Sequence, residues 1–226
     1  MEKERHILAV YPHPDDETFG KAGLIAMQTR LGTPVTLICS TLGQMGRNMG
    51  KPSFATRESL PKIREKELRD ACTVLGIRDL RLFGLRDKTV EFEDPEVVAD
   101  RIGEVIAETN PSLVITYYPK LGVHPDHDAM SEATVRAMRR IPKEQRPVLW
   151  GSAVTRDARE VLGAPHIDLD VSEVLDTKIE AMRAHRSQSE AMLKRMEEGA
   201  GTDAAVRREI EERLGREVYW IYNFGD

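Results

Sequence analysis

Short, almost wholly apolar runs recur along this chain, separated by amphipathic or charged stretches, and that alternation restricts the fold more than any other feature. Ile7-Leu8-Ala9-Val10-Tyr11, Val35-Thr36-Leu37-Ile38-Cys39-Ser40, Leu80-Arg81-Leu82-Phe83, Leu113-Val114-Ile115-Thr116-Tyr117-Tyr118 and Val148-Leu149-Trp150-Gly151-Ser152-Ala153-Val154 are short runs of mainly aliphatic, β-branched and aromatic residues and read as strands. Helical patterns lie between them. Residues 18–31 are stopped by Gly32, and residues 58–75 turn Ile63, Leu68, Cys72 and Leu75 inward before Gly76. Asp94 caps a third helix with Pro95 in its first turn, Val98, Ile102, Val105 and Ile106 inward, and Asn110-Pro111 at its end; a fourth spans 129–140. A short strand over 167–171 precedes a long helix capped by Ser172 and running through Leu175, Ile179, Met182 and Met192. The tract 197–217 is highly charged and reads as a solvated helical surface segment, and Val218-Tyr219-Trp220-Ile221-Tyr222 as an ordered strand or packing tail. The expected fold class is α/β: one domain over residues 1–226, a Rossmann-like three-layer α/β/α sandwich around a mostly parallel sheet.

The first strand runs straight into His13-Pro14-Asp15-Asp16-Glu17, and the 113–118 strand leads through a short loop to His124-Pro125-Asp126-His127-Asp128. Open α/β sheets place their chemistry at the C-terminal ends of strands. Two adjacent carboxylates beside a histidine repel one another unless a cation neutralises them. His13, Asp16 and His127 form an economical ligand set with a position left for water, as in catalytic zinc sites, and Asp15 is then free to act as base. Ferrous iron accepts the same donors. Either motif by itself could be a polar turn with a capping aspartate; two of them, each after an apolar strand, point to a metal site. Glu17 is expected to support the first helix turn.

The chain has 226 residues and a formal charge of −5, with basic residues scattered among acidic ones, so a small-molecule partner is expected and nucleic acid is not. The apolar stretch near the N-terminus is too short for a membrane span or signal peptide, which gives the expectation of a cytoplasmic protein without membrane association. Cys39 and Cys72 read as buried thiols. The glycine-rich segment 41–52 follows a strand and is a candidate substrate loop.

The two histidine motifs together resemble the metal-dependent N-acetylglucosaminyl deacetylases of the PIG-L (LmbE-like) family. Arg64-Glu65-Lys66-Glu67-Leu68 is similar to that family's central helix, and Ala184-His185-Arg186-Ser187-Gln188 to its late His-x-Ser-Gln segment. Gly46-Arg47-Asn48, residues 54–59 and residues 84–91 resemble the branch that acts on N-acetylglucosaminyl malate in bacillithiol biosynthesis. The resemblance implies His13, Asp16 and His127 as zinc ligands, Asp15 as general base, His124 as oxyanion stabiliser or proton donor, and Asp126 as the group that orients and charges the His124 imidazole. Gly122 stands where several members carry tyrosine, and Gln44 where many carry an acid. Arginine is the natural partner of a dicarboxylate such as malate, and Arg64 comes first, then Arg47 and Arg57, with Gln44 and His185 completing the expected substrate contacts. A homo-oligomer is expected. Two other classes compete: a non-haem iron oxygenase, which shares the two-histidine, one-carboxylate triad but belongs with an all-β barrel, and a catalytically silent sugar-binding protein.

Overall fold

The computed structural model describes residues 1–199, 208, 212 and 214–225. Its spine is a seven-stranded sheet built from β1 (Ile7–Tyr11), β2 (Val35–Cys39), β3 (Asp79–Leu82), β4 (Leu113–Tyr117), β5 (Val148–Ser152), β6 (Ile167–Asp170) and β7 (Arg216–Ile221). The spatial order is β3-β2-β1-β4-β5-β7-β6. Strands β1 to β5 pair in parallel, with Ile7 opposite Val35 on one side and Leu113 on the other. β7 is antiparallel to both of its neighbours, β5 and β6.

Side-chain alternation along β1 divides the core in two. Ile7, Ala9 and Tyr11 pack in one cluster with Leu24, Ile25, Leu68, Leu75 and Ala181 of the helices α1 (Ala22–Arg30), α2 (Leu60–Leu75) and α6 (Leu175–Ala184). Leu8 and Val10 pack in the other, with Val98, Ile102, Met130 and Met138 of α3 (Pro95–Thr109) and α4 (Pro125–Arg139). A strand apolar on both faces is thereby covered on both, as its composition requires. A short helix α5 (Ala158–Leu162) and the helix α7 (Arg186–Gly199) complete the described elements.

Three boundaries differ from the sequence pattern in ways that matter for the site. Residues 14–21 form turns, and α1 starts only at Ala22. α4 starts at Pro125, inside the second motif, because proline suits the first helical turn and His124 supplies the cap. The long helix expected from Ser172 is broken at His185, between α6 and α7. The charged tract 197–217 lies mostly outside the described residues, and its last two residues open β7.

Glu217 of that strand is buried, not solvated. Lys21, the residue before α1, offers no side-chain cap, and Glu217 reaches across instead to accept Gly23 N at 2.8 Å and Leu24 N at 2.9 Å. The same carboxylate accepts Lys178 Nζ at 2.7 Å and Tyr219 Oη at 3.0 Å. Removing one partner of a buried ion pair strands the other charge. Glu217→Ala is therefore expected to destabilise the protein by about 3–5 kcal/mol in chemical denaturation; a loss below about 1 kcal/mol, the range of exposed pairs, would contradict this role.

Candidate metal centre and active site

β1 and β4 lie side by side where the strand order reverses, and their C-terminal ends carry the two motifs into the crevice that such a reversal opens. α4 holds Asp126 and His127 in its first turn with His124 as N-cap. The loop after β3 brings in Asp87, to which no role was assigned from the sequence.

His13, Asp16 and His127 come together. His127 Nδ1 lies 2.6 Å from the Gly122 carbonyl, which can only accept, so the proton sits there and Nε2 keeps its lone pair. His13 Nε2 faces two carboxylate oxygens, Asp126 Oδ2 at 3.1 Å and Asp87 Oδ1 at 3.2 Å, so its lone pair is on Nδ1. These two lone-pair nitrogens are 3.2 Å apart, and the Asp16 oxygens lie 3.4 Å from His13 Nδ1 and 3.3 Å from His127 Nε2. Two imidazole lone pairs and a carboxylate converging in this way are a donor set for a cation. Their separations match donors about 2.0–2.2 Å from a shared ion. Although burial opposes it, the flanking imidazoles hold the Asp16 carboxyl well below the usual range, so the ligand is charged. A second grouping, His13, Asp87 and His124, also lies within 4.8 Å; there His13 meets Asp87 through Nε2, the nitrogen already bonded to Asp126.

Tyr117 touches two members of the donor set. Its hydroxyl donates to Asp16 Oδ1 at 2.6 Å, and its ring stacks on His127 with centroids 3.9 Å apart and planes 7° from parallel. The buried Lys21 ammonium lies 3.9 Å from the centroid of the same ring, and burial pushes the Lys21 pKa down to about 8. The absence of a side chain at 122 also has a cause: a Cβ on Gly122 would lie 2.6 Å from His127 Cβ. Neither Tyr117 nor Lys21 stands in a motif that singles it out; only the terminal position of Tyr117 on β4 hinted at a role.

Asp15 has φ +108°, a backbone conformation that side chains rarely tolerate. Its Oδ2 accepts Arg64 Nη2 at 3.1 Å. Burial pushes the Asp15 carboxyl up to about 6 against the opposing pull of Arg64. Such a group is mostly ionised at neutral pH and still basic enough to take a proton. His124 Nδ1 accepts the backbone N–H of Asp126 at 3.1 Å, which leaves the ring proton of the neutral tautomer on Nε2. Burial, reinforced by the nearby His13, lowers the His124 pKa.

Several expected roles change. The Asp126 carboxylate does not orient His124: it accepts from His13 Nε2, Lys88 N at 2.7 Å and Val90 N at 3.2 Å, and so fixes a ligand histidine. Arg64 is buried and committed, donating to Asp15, the Pro14 carbonyl and the Gly43 carbonyl, so it is not free to grip a substrate carboxylate. His185 is fully buried against Glu17. Gln44 Oε1 accepts Asp87 N at 3.1 Å and holds that loop. Glu17 caps no helix; its Oε2 accepts the backbone N–H of Asp15 at 3.0 Å. Arg47 and Arg57 are exposed on the segment between β2 and α2, and Cys39 and Cys72 are free, buried thiols. Among the described residues no helix is long and apolar enough to cross a membrane.

A family model described as GlcNAc-PI de-N-acetylase (PIG-L) matches residues 8–138, which contain both motifs. The chain belongs to this family. It is 51% identical over 224 residues, covering 98% of this chain and 99% of the other, to a probable N-acetyl-alpha-D-glucosaminyl L-malate deacetylase 2 of Bacillus cereus. Its Bacillus subtilis counterpart is 50% identical over 223 residues, with 99% of this chain and all of the relative covered. Among solved structures, the N,N'-diacetylchitobiose deacetylase of Pyrococcus horikoshii superposes with TM-score 0.73 at 20% identity, over 97% of this chain and 84% of that one, and shares the fold.

Residues that orient metal ligands typically change affinity about 10–100-fold when altered. Tyr117→Phe, which keeps the stacking on His127 but removes the hydrogen bond to Asp16, is expected to weaken divalent-cation binding by about that factor in chelator competition. Unchanged affinity would mean that Tyr117 is packing alone.

Proposed function

We propose that this protein is a zinc-dependent hydrolase that removes the acetyl group from an N-acetylglucosamine conjugate, with N-acetylglucosaminyl malate as its substrate. The observation that carries the reading is the convergence of two imidazole lone pairs and one ionised carboxylate immediately beside a strained, half-buried aspartate whose carboxyl is pushed up to about 6. The names of the two Bacillus relatives support the substrate. A divalent ion held by His13, Asp16 and His127 would supply a Lewis acid for the acetamide carbonyl and lower the pKa of a bound water to about 7. Ferrous iron suits the same donors. The mostly parallel sheet is unlike the barrel that the oxygenase reading calls for.

The chain's own residues divide the remaining work. Asp15 takes the proton from the attacking water and returns it to the departing amine nitrogen. His124 donates its Nε2 proton as a hydrogen bond to the oxygen on which charge develops. Its cap on α4 fixes the donor nitrogen, and its lowered pKa makes it a neutral donor. Arg64 keeps Asp15 in place. With Arg64 committed, the malate carboxylates fall to Arg47 and Arg57, which have no carboxylate partner among the described residues.

Asp15→Asn is expected to lower acetate release from N-acetylglucosaminyl malate by about a thousandfold with metal content unchanged; near-normal turnover in that variant would remove Asp15 from the role of base. Chelation should abolish activity and zinc restore it. Arg57→Ala is expected to raise KM for the malate conjugate about tenfold, the value of one lost charged contact, while KM for free N-acetylglucosamine moves less than about twofold. Arg64→Ala should instead lower kcat alike on both, and a loss confined to the malate conjugate would return Arg64 to substrate binding.

A further inference from the structure

The segment 185–188 is hydrogen-bonded to Glu17, to Glu67 on the helix that carries Arg64, and to the loop after β2. His185 sits fully buried at the break between α6 and α7, with Nε2 2.5 Å from Glu17 Oε1. Its Nδ1 has no partner, so this one bond is the ring's whole polar anchoring. The other oxygen of the Glu17 carboxylate accepts the Asp15 backbone N–H. Two residues on, Ser187 gives Glu67 of α2 two hydrogen bonds, from its backbone N–H at 2.7 Å and its hydroxyl at 2.6 Å. Glu67 stands one helical turn beyond Arg64. The Ser187 carbonyl accepts Met49 N at 2.6 Å, and Gln188 Nε2 donates to the Arg47 carbonyl at 2.9 Å, so the loop above the site is tied to the same segment.

Asp15 needs such support. A non-glycine residue at φ +108° persists only where its surroundings over-determine it. Its carbonyl is held by Thr18 N, Phe19 N and Thr18 Oγ1, and its side chain by Arg64. Its N–H has Glu17 alone, and among the described residues Glu17 has no partner beyond that N–H and His185. Glu17 is also the third carboxylate in a row, and its Oε1 faces the His185 imidazole.

We propose that Glu17 and His185 are a positioning pair that fixes the backbone of Asp15, while Ser187, through Glu67, braces the helix that carries Arg64. This assigns the late His-x-Ser-Gln segment to the geometry of the base, and it rests on the reading of Asp15 as that base. Neither Glu17 nor His185 contacts substrate.

The test compares His185→Gln, Glu17→Gln and Ser187→Ala in the zinc-loaded protein, each alone and combined with Asp15→Asn. His185→Gln and Glu17→Gln are expected to lower kcat about 10–100-fold, the scale of a displaced catalytic group. KM and zinc affinity should move less than about threefold, and the double variant should be no slower than the slower single. In the Asp15→Asn background the same changes should cost less than about twofold. Equal losses in both backgrounds would overturn the proposal, as would a raised KM at unchanged kcat, which would return His185 to substrate binding. Should His185→Gln not fold, the gentler Ser187→Ala carries the question: kcat is expected to fall about three- to tenfold only where Asp15 is present, and an unchanged kcat refutes the bracing role. If Asp15→Asn alone leaves turnover intact, the reading of the base fails on its own account.

Discussion

Asp15, Asp16 and Glu17 are consecutive carboxylates at the edge of a buried strand, and at that spacing their mutual repulsion and desolvation have to be answered locally. The structure gives each a different nitrogen partner. Arg64 meets Asp15, the imidazoles of His13 and His127 meet Asp16, and His185 meets Glu17. Those partners come from α2, from the two histidine motifs and from the α6–α7 break, so satisfying three charges pulls four distant parts of the chain to one point. The loop geometry, the helix break and the committed arginine all follow from this requirement.

Chemically, the same requirement sorts identical groups into different tasks. Asp15 and Asp16 are neighbours of one residue type, yet burial pushes one up to about 6 while imidazoles hold the other well below its usual range. One is left able to exchange a proton, the other remains a fixed charge. His13, His124 and His127 are sorted likewise by what their second nitrogen meets: carboxylates, a backbone N–H and a backbone carbonyl. Only the backbone N–H met by His124 leaves a ring N–H free to act on a substrate.

The strands, the caps at Asp94 and Gly76, and the convergence of His13, Asp16 and His127 were legible because each rests on local pattern, and adjacency of β1 and β4 follows from ordinary α/β winding. What was not legible depends on contacts between residues far apart in sequence. The family resemblance paired Asp126 with His124; its carboxylate turns instead to His13, 113 residues away. Arg64 read as the leading substrate contact because nothing in its helix shows that the Pro14 and Gly43 carbonyls and Asp15 take its guanidinium. Asp87 and Tyr117 carry no pattern that distinguishes them from a loop acid and a core aromatic. His185 shows the reverse case: the motif was visible, but only burial separates a substrate contact from an internal brace.

The sheet order has a consequence for how the protein is made. β7 lies between β5 and β6, and its Glu217 supplies the cap that α1, directly after the first motif, lacks. A nascent chain that has emerged only as far as α7 holds both histidine motifs but leaves the first N–H groups of α1 and the ammonium of Lys178 without their acceptor, and β6 without a strand beside it. The residues that carry the chemistry are thus translated early and locked late.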